Sequence, residues 1–301
     1  MNYYNWLNEN FGSLKNKTVA ISGATGGLGT VICDYLAYLG ANIICLNRNA
    51  DKSSRLISVL KSKYPNLQAQ HITLNLENIT EVKSVAEQLK TLNIDYLILN
   101  AGAYKIPRHK CDTGYDNVFQ INFISPYFLA RELAPYIKQK KGRIVAVSSI
   151  AHNYSKIDIN DIDFSGVKSS GKVYGNAKRY LTFALYSLFK DENILSVVHP
   201  GITLTNITAH YPKIIFAIIK YPMKIIFIPP KKAALNIIFG IFYPCECNYW
   251  IGPRIFNVWG MPKMQKLNTC DRCEAQKICS IADNIFKNIK NANCNSKLKQ
   301  I

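Results

Sequence analysis

Short apolar runs alternate along this chain with longer stretches whose apolar positions recur every three or four residues. The runs 17–22, 42–46, 69–74, 94–99, 143–148 and 195–199 have apolar centres, the pattern of strands covered on both faces. Between them lie helix-period stretches at 30–39, 51–63, 80–92, 115–138 and 172–190. In the first of these, Val31, Ile32, Tyr35 and Leu36 share one face and Gly40 ends the helix. Pro65 marks the end of the second, and Pro126 is tolerable at a kink in the fourth. Six strands alternating with five helices predict an α/β fold with a doubly wound parallel sheet.

The flanks are less regular. Residues 1–16 carry Trp6, Leu7 and Phe11 among polar neighbours, which suits a short helix packed on the main body. Tyr249-Trp250-Ile251-Gly252-Pro253 reads as a final edge strand and turn. The chain turns polar from Lys266, rich in Asn, Lys and Cys. We therefore expect one domain over 1–265, with a substrate-covering segment over 203–230, and a polar, cysteine-containing tail over 266–301.

Composition adds charge to this picture. Lys and Arg number 37 against 19 Asp and Glu, a formal net charge of +18. The lysines are spread rather than blocked, which favours a solvated basic surface over a nucleic-acid site. The first residues lack the basic-then-apolar order of a signal peptide, and no run is long enough to span a bilayer, so a cytoplasmic protein is expected.

Candidate chemistry clusters at strand ends. The first strand runs into Ser22-Gly23-Ala24-Thr25-Gly26-Gly27-Leu28-Gly29 and then a helix. Glycine there lets the backbone turn and approach a ligand closely, and the N–H groups at a helix start favour a pyrophosphate. In an open α/β sheet, ligands sit beyond the carboxyl ends of the strands. After the fifth strand comes Ser148-Ser149, then Tyr174 with Lys178 four residues later, on one helix face. A nearby cation lowers a tyrosine pKa, so the pair can exchange a proton with a carbonyl or alcohol oxygen that Ser149 holds. The second strand ends in Asn47-Arg48 with no acid, and arginine suits a 2′-phosphate, which points to NADP(H) over NAD(H).

With Asn100-Ala101-Gly102, Asn122 and Pro200-Gly201 added, the chain over roughly 15–205 resembles the short-chain dehydrogenase/reductase family. Within it, Gly142-Arg143-Ile144-Val145, Ser148-Ser149-Ile150-Ala151-His152 and His199-Pro200-Gly201 are most similar to the retinol dehydrogenase-like branch. The resemblance implies a Rossmann fold and hydride transfer to or from a nicotinamide. It makes Tyr174 the acid/base, Lys178 its pKa-lowering partner and ribose contact, Ser149 the substrate-orienting hydroxyl, and Asn122 the holder of a relay water. Cofactor contacts are then expected from Ser22, Gly23, Thr25, Gly27, Leu28, Gly29, Arg48, Asn75, Asn100, Ala101, Gly102, Tyr174, Lys178, Pro200, Gly201 and Thr205. Asn75 stands where the family usually has aspartate beside the adenine. Family members commonly form homo-oligomers.

Residues 203–230 are strikingly apolar for a surface, with Lys213, Lys220 and Lys224 interspersed. A pocket wall for a lipophilic substrate is the leading reading; peripheral membrane contact and a dimer contact are the alternatives. Cys245, Cys247, Cys270 and Cys273 form two close pairs, but the first spacing is not the usual zinc one, so no metal is expected. The sequence thus leads to an NADP(H)-dependent oxidoreductase acting on a lipophilic alcohol, aldehyde or ketone. A non-catalytic nucleotide-sensing protein or a membrane-surface binder is the alternative.

Overall fold

The computed structural model describes residues 2–190, 192–203, 227–267, 269 and 271–298. Strand β1 (Thr18–Ser22) lies between β2 (Asn42–Asn47) and β4 (Tyr96–Leu99). Strand β3 (Ala69–Thr73) flanks β2; β5 (Arg143–Val147), β6 (Leu195–Val198), β7 (Tyr249–Ile255) and β8 (Trp259–Lys266) extend the other side. The order is β3-β2-β1-β4-β5-β6-β7-β8, parallel throughout except for the antiparallel β7–β8 pair. The winding reverses between β1 and β4, which opens a crevice at their carboxyl ends.

Strand alternation sends side chains to two separate cores. Ala20, Ile44, Leu46, Leu97, Leu99, Ile144, Ala146 and Val197 face one layer, where α4 (Ile79–Thr91), α5 (Asn117–Phe119), α6 (Ser125–Gln139), α7 (Ser170–Leu188) and α9 (Arg272–Leu298) pack. Val19, Ile21, Ile43, Cys45, Ile98, Val145, Val147 and Val198 face the other, covered by α1 (Tyr3–Asn10), α2 (Gly27–Tyr38), α3 (Ala50–Lys63) and α8 (Pro230–Phe242). The short N-terminal helix packs as expected: Leu7 is buried, and Phe11 just beyond it stacks on Phe242 of α8 at 4.7 Å.

Three expectations change. Residues 249–253 are not the sheet edge; β7 turns back into β8, whose Pro262 and scattered polar residues hid its strand character. The fourth helix is not continuous: Gln120–Ile124 forms a π turn between α5 and α6, just before Pro126. The C-terminal stretch is not a polar tail, because α9 lays Ile278, Ala282, Ile285, Phe286 and Ile289 into the core along one helical face. Each fully buried large side chain of that kind is worth about 1.5–3 kcal/mol. Phe286 meets Phe128 at 5.3 Å, and Lys290 pairs with Glu132 at 2.7 Å. The Asn and Lys residues on the outer face of α9 masked this stripe in composition.

Of the 203–230 segment, Thr203 and Ile228 form a parallel bridge and the Ile228 N–H donates to the Ile202 carbonyl at 2.9 Å. Residues 204–226 lie outside the described residues. No helix among the described residues is long and apolar enough to cross a membrane.

Candidate active site

A cavity of about 650 Å³ opens at the carboxyl edge of the sheet. Its floor is the glycine turn: Gly23, Gly26, Gly27, Leu28 and Gly29 line it. Gly23 has φ of 70°, in the left-handed region, and a Cβ there would lie 2.9 Å from the Ala101 Cα. A Cβ on Gly29 would fall 2.1 Å from the Gly23 carbonyl oxygen, so the turn closes only around bare backbone. Helix α2 begins here with Gly26 as its first cap and no side chain bonded to its free N–H groups. Those N–H groups and the helix dipole form an anion cradle.

Asn100 and Ser22 brace the cradle from β4 and β1. Asn100 Nδ2 donates to the Ser22 and Gly23 carbonyls at 3.1 Å each, and Ser22 Oγ accepts from the Ala101 N–H at 3.0 Å. Asn100, Ala101 and Gly102 line the cavity wall, while Ser22 lies buried behind it. Thr25 is held through its N–H, 3.4 Å from Asn47 Oδ1, and the Asn47 amide in turn donates to Ser53 at 2.9 Å.

The reacting side of the cavity is built from β5 and α7. Ser149, Tyr174 and Lys178 all line it. Ser149 is also the cap of a 3₁₀ turn, its Oγ accepting from the Ala151 N–H at 3.2 Å. Tyr174 lines the cavity with Ser149 and stands edge-on to Tyr104 at 5.0 Å; burial raises its pKa, partly offset by Ser149. Lys178 is 3% exposed and donates to the Val147 carbonyl at 2.8 Å. Burial pushes its pKa down to about 8. Its Nζ sits 5.8 Å from the centre of the Tyr174 ring. The pair therefore shares one wall without a direct bond.

Asn122 sits in the π turn, fully buried. Its Nδ2 donates to the Ala103 and Val118 carbonyls at 2.8 Å, and its Oδ1 accepts from the Ala103 N–H at 3.2 Å. A Cβ on Gly102 would lie 2.8 Å from Asn122 Oδ1 and 3.7 Å from Lys178 Nζ, so these three residues are neighbours. Pro126, four residues on, has no N–H to give the Asn122 carbonyl.

Pro200 and Gly201 close the far wall with Ile202, Thr203 and Phe227; Thr205 lies outside the described residues. Arg48 and Asn75 stand outside the cavity wall. Arg48 is 73% exposed, 3.8 Å from Glu77, and Asn75 uses its amide oxygen on the Glu77 N–H at 3.2 Å.

Four contributors were not singled out from sequence. Tyr104 lines the cavity beside Tyr174. His152 holds the Ser149 carbonyl with Nδ1 at 2.6 Å and reaches Thr269 Oγ1 with Nε2 at 3.0 Å. Arg179, next to Lys178, binds the His152 carbonyl at 3.0 Å and Glu274 of α9 at 2.6 Å. His199 stacks on Trp250 at 5.0 Å, with Nε2 3.1 Å from the Asn257 carbonyl. Burial drives the pKa values of His152 and His199 down to about 4 and about 3. The signal for His152 and His199 was present only as motif letters, and that for Arg179 only as adjacency to Lys178.

A family model described as short chain dehydrogenase matches residues 17–213. Polyprenol dehydrogenase of Homo sapiens is 25% identical over 208 residues, covering 65% of this chain and 63% of that one. Retinol dehydrogenase 14 of Mus musculus is 27% identical over 216 residues, covering 66% and 65%. The matches thus span just under two thirds of both relatives. The crystal structure of an uncharacterized protein from Mycobacterium paratuberculosis superposes with a TM-score of 0.73 at 22% identity, covering 93% of this chain and 96% of that one.

Proposed function

The chain belongs to the short-chain dehydrogenase family, and on that footing we propose that it is an NADP(H)-dependent oxidoreductase of lipophilic alcohols, aldehydes or ketones. One observation carries the reading: Ser149, Tyr174 and Lys178 line the same cavity as the glycine cradle. The cradle fits a dinucleotide pyrophosphate, since Cβ atoms on Gly23 or Gly29 would collide with backbone and α2 opens there uncapped. Asn100, Ala101, Gly102, Pro200 and Gly201 supply further backbone contacts. When bound, NADP(H) supplies the hydride donor or acceptor.

The chain's own residues handle the proton. Ser149 and Tyr174, which line the same stretch of the cavity, are placed to hold one substrate oxygen between them. Tyr174 Oη gives that oxygen a proton in reduction and takes it back in oxidation. A charged Lys178 amine near the ring favours the tyrosinate, and its pKa of about 8 lets it exchange protons near neutrality. Asn122, whose side chain lies beside Gly102 and Lys178, is the candidate holder of a relay water.

Substrate class follows from the lining. Tyr104, Val147, Ile150, Ile202 and Phe227 give the cavity an apolar wall. Arg48 supports the 2′-phosphate, because it is exposed just after β2 and no acid stands at the strand's end, the first being Asp51 inside α3. The test is a panel of long-chain and isoprenoid alcohols, aldehydes and ketones, followed by NADPH absorbance with NADH in parallel. Turnover above the Tyr174→Phe background with NADPH ahead of NADH is expected. A panel with no turnover above that background defeats the reading.

A further inference from the structure

We propose that the β7–β8 turn is a membrane-interface wedge that seats the mouth of the cavity on an anionic lipid surface. Three of the large apolar side chains exposed on the described surface fall within five residues of each other: Ile255, Phe256 and Trp259, at 49%, 79% and 36% exposure. The turn that presents them is built against local preference. Phe256 and Asn257 both have positive φ, 50° and 58°, and the Val258 N–H donates to the Ile255 carbonyl at 3.0 Å. That is the pattern of a type I′ turn, whose central positions favour Asn and Gly. A bulky aromatic in the left-handed region is strained, and such strain persists where it serves a function. Here its result is an aromatic ring held out into solvent.

The position matters as much as the composition. Strand β7 runs parallel to β6, so its carboxyl end points to the same edge as the cavity. The turn is tied to the site: the Asn257 carbonyl meets His199, and a Cβ on Gly201 would lie 3.0 Å from Pro253. His199 and Gly201 both line the cavity. The wedge therefore projects beside the opening.

Charge selects the occupant. The described residues 227–267 hold five Lys and Arg against one acid, Glu246. Arg254 adjoins the turn, and Lys231 and Lys232 open α8 just after the Thr203–Ile228 bridge, at the same edge. A second copy would bring these like charges together. Strand addition along β8 is opposed by Pro262, Lys263 and Lys266. An apolar aromatic tip flanked by cations matches the headgroup region of an anionic bilayer instead. Such seating would deliver lipophilic substrate from the lipid; only that supply route rests on the proposed function.

The test is flotation of the full-length protein with vesicles of phosphatidylcholine and phosphatidylserine in equal parts, and with phosphatidylcholine alone, in the absence of substrate. Wild type is expected to float with the anionic vesicles and far less with the neutral ones. The double variant Ile255→Ser/Phe256→Asn should partition about tenfold or more weaker, since it removes two apolar anchors. It should melt no lower than wild type, because Asn suits the positive φ. Arg254→Glu should weaken binding to anionic vesicles alone. Equal flotation of the double variant and wild type overturns the proposal. So does equal binding to both vesicle types, or loss of a solution dimer in the variant without vesicle binding by either protein. A failed substrate panel leaves these readouts untouched.

Discussion

Arg179 grips Glu274 through Nε at 2.6 Å, across 95 residues of chain. The same guanidinium holds the His152 carbonyl, and His152 holds the Ser149 carbonyl. The C-terminal helix is thereby linked, through two side chains, to the serine of the candidate site. Arg179 is 6% and Glu274 20% exposed in their side chains, so the pair sits largely out of water. Removing one partner strands a buried charge. Glu274→Gln or Arg179→Met should each destabilise the fold by about 3 kcal/mol in urea unfolding. The double variant should lose clearly less than the sum. Additive losses would show the pair to be uncoupled.

Acid should loosen the same region. His152 and His199 have folded pKa values of about 4 and about 3, below the ordinary 6.5. Between those values the unfolded chain binds protons that the folded chain refuses. Stability is then full above pH 6.5 and falls as pH drops toward 4, by on the order of 3 kcal/mol for His152 if its shift is fully realised. Denaturant melts at pH 7 and pH 4.5 should show the drop, and His152→Gln should reduce its slope. A flat profile between those two pH values would contradict it.

Gly29→Ala should abolish dinucleotide binding. Its Cβ would sit 2.1 Å from the Gly23 carbonyl, and both atoms are backbone-anchored. Calorimetric titration with NADP⁺ should give no measurable heat, with the protein still folded by circular dichroism. Retained affinity would mean that the turn does not hold the pyrophosphate.

Tyr174→Phe should lower turnover by about 10²–10⁴-fold while leaving NADP⁺ affinity within a few fold, because it removes only the proton-bearing oxygen. Single-turnover kinetics alongside binding separates the two effects. An equal loss in both would assign Tyr174 to binding rather than proton transfer.

Arg48→Glu should weaken NADPH binding at least tenfold and leave NADH binding nearly unchanged. The exposed guanidinium lies 3.8 Å from Glu77, so its charge is only loosely engaged before a phosphate arrives. Parallel fluorescence titrations with the two dinucleotides report the ratio. An unchanged ratio would remove Arg48 from cofactor selection.

The sheet from β1 to β6 was legible because β1, β2, β4, β5 and β6 are largely buried and read as mostly apolar runs, with the edge strand β3 marked by its place between two helices. The glycine turn and the Ser149, Tyr174 and Lys178 set were legible because each stands at a strand end or on one helix face. Strand β8 was not, since an edge strand with Pro262, Lys263 and Lys266 lacks an apolar run. Helix α9 was hidden because five buried positions were diluted among Asn and Lys. The arrangement of Lys178 on the Val147 carbonyl was equally invisible: spacing fixes which helix face a side chain shares, not which carbonyl it finds.

The bridge between Thr203 and Ile228 has a consequence for how such a protein diversifies. Two chain ends pinned side by side form a socket, and the intervening stretch can grow or shrink while the sheet keeps its register. Doubling the length of a flexible connection between two fixed ends costs only about 0.6 kcal/mol in closure entropy. The bridge thus keeps Thr203 and Phe227, which line the cavity, on one wall whatever length of chain joins them.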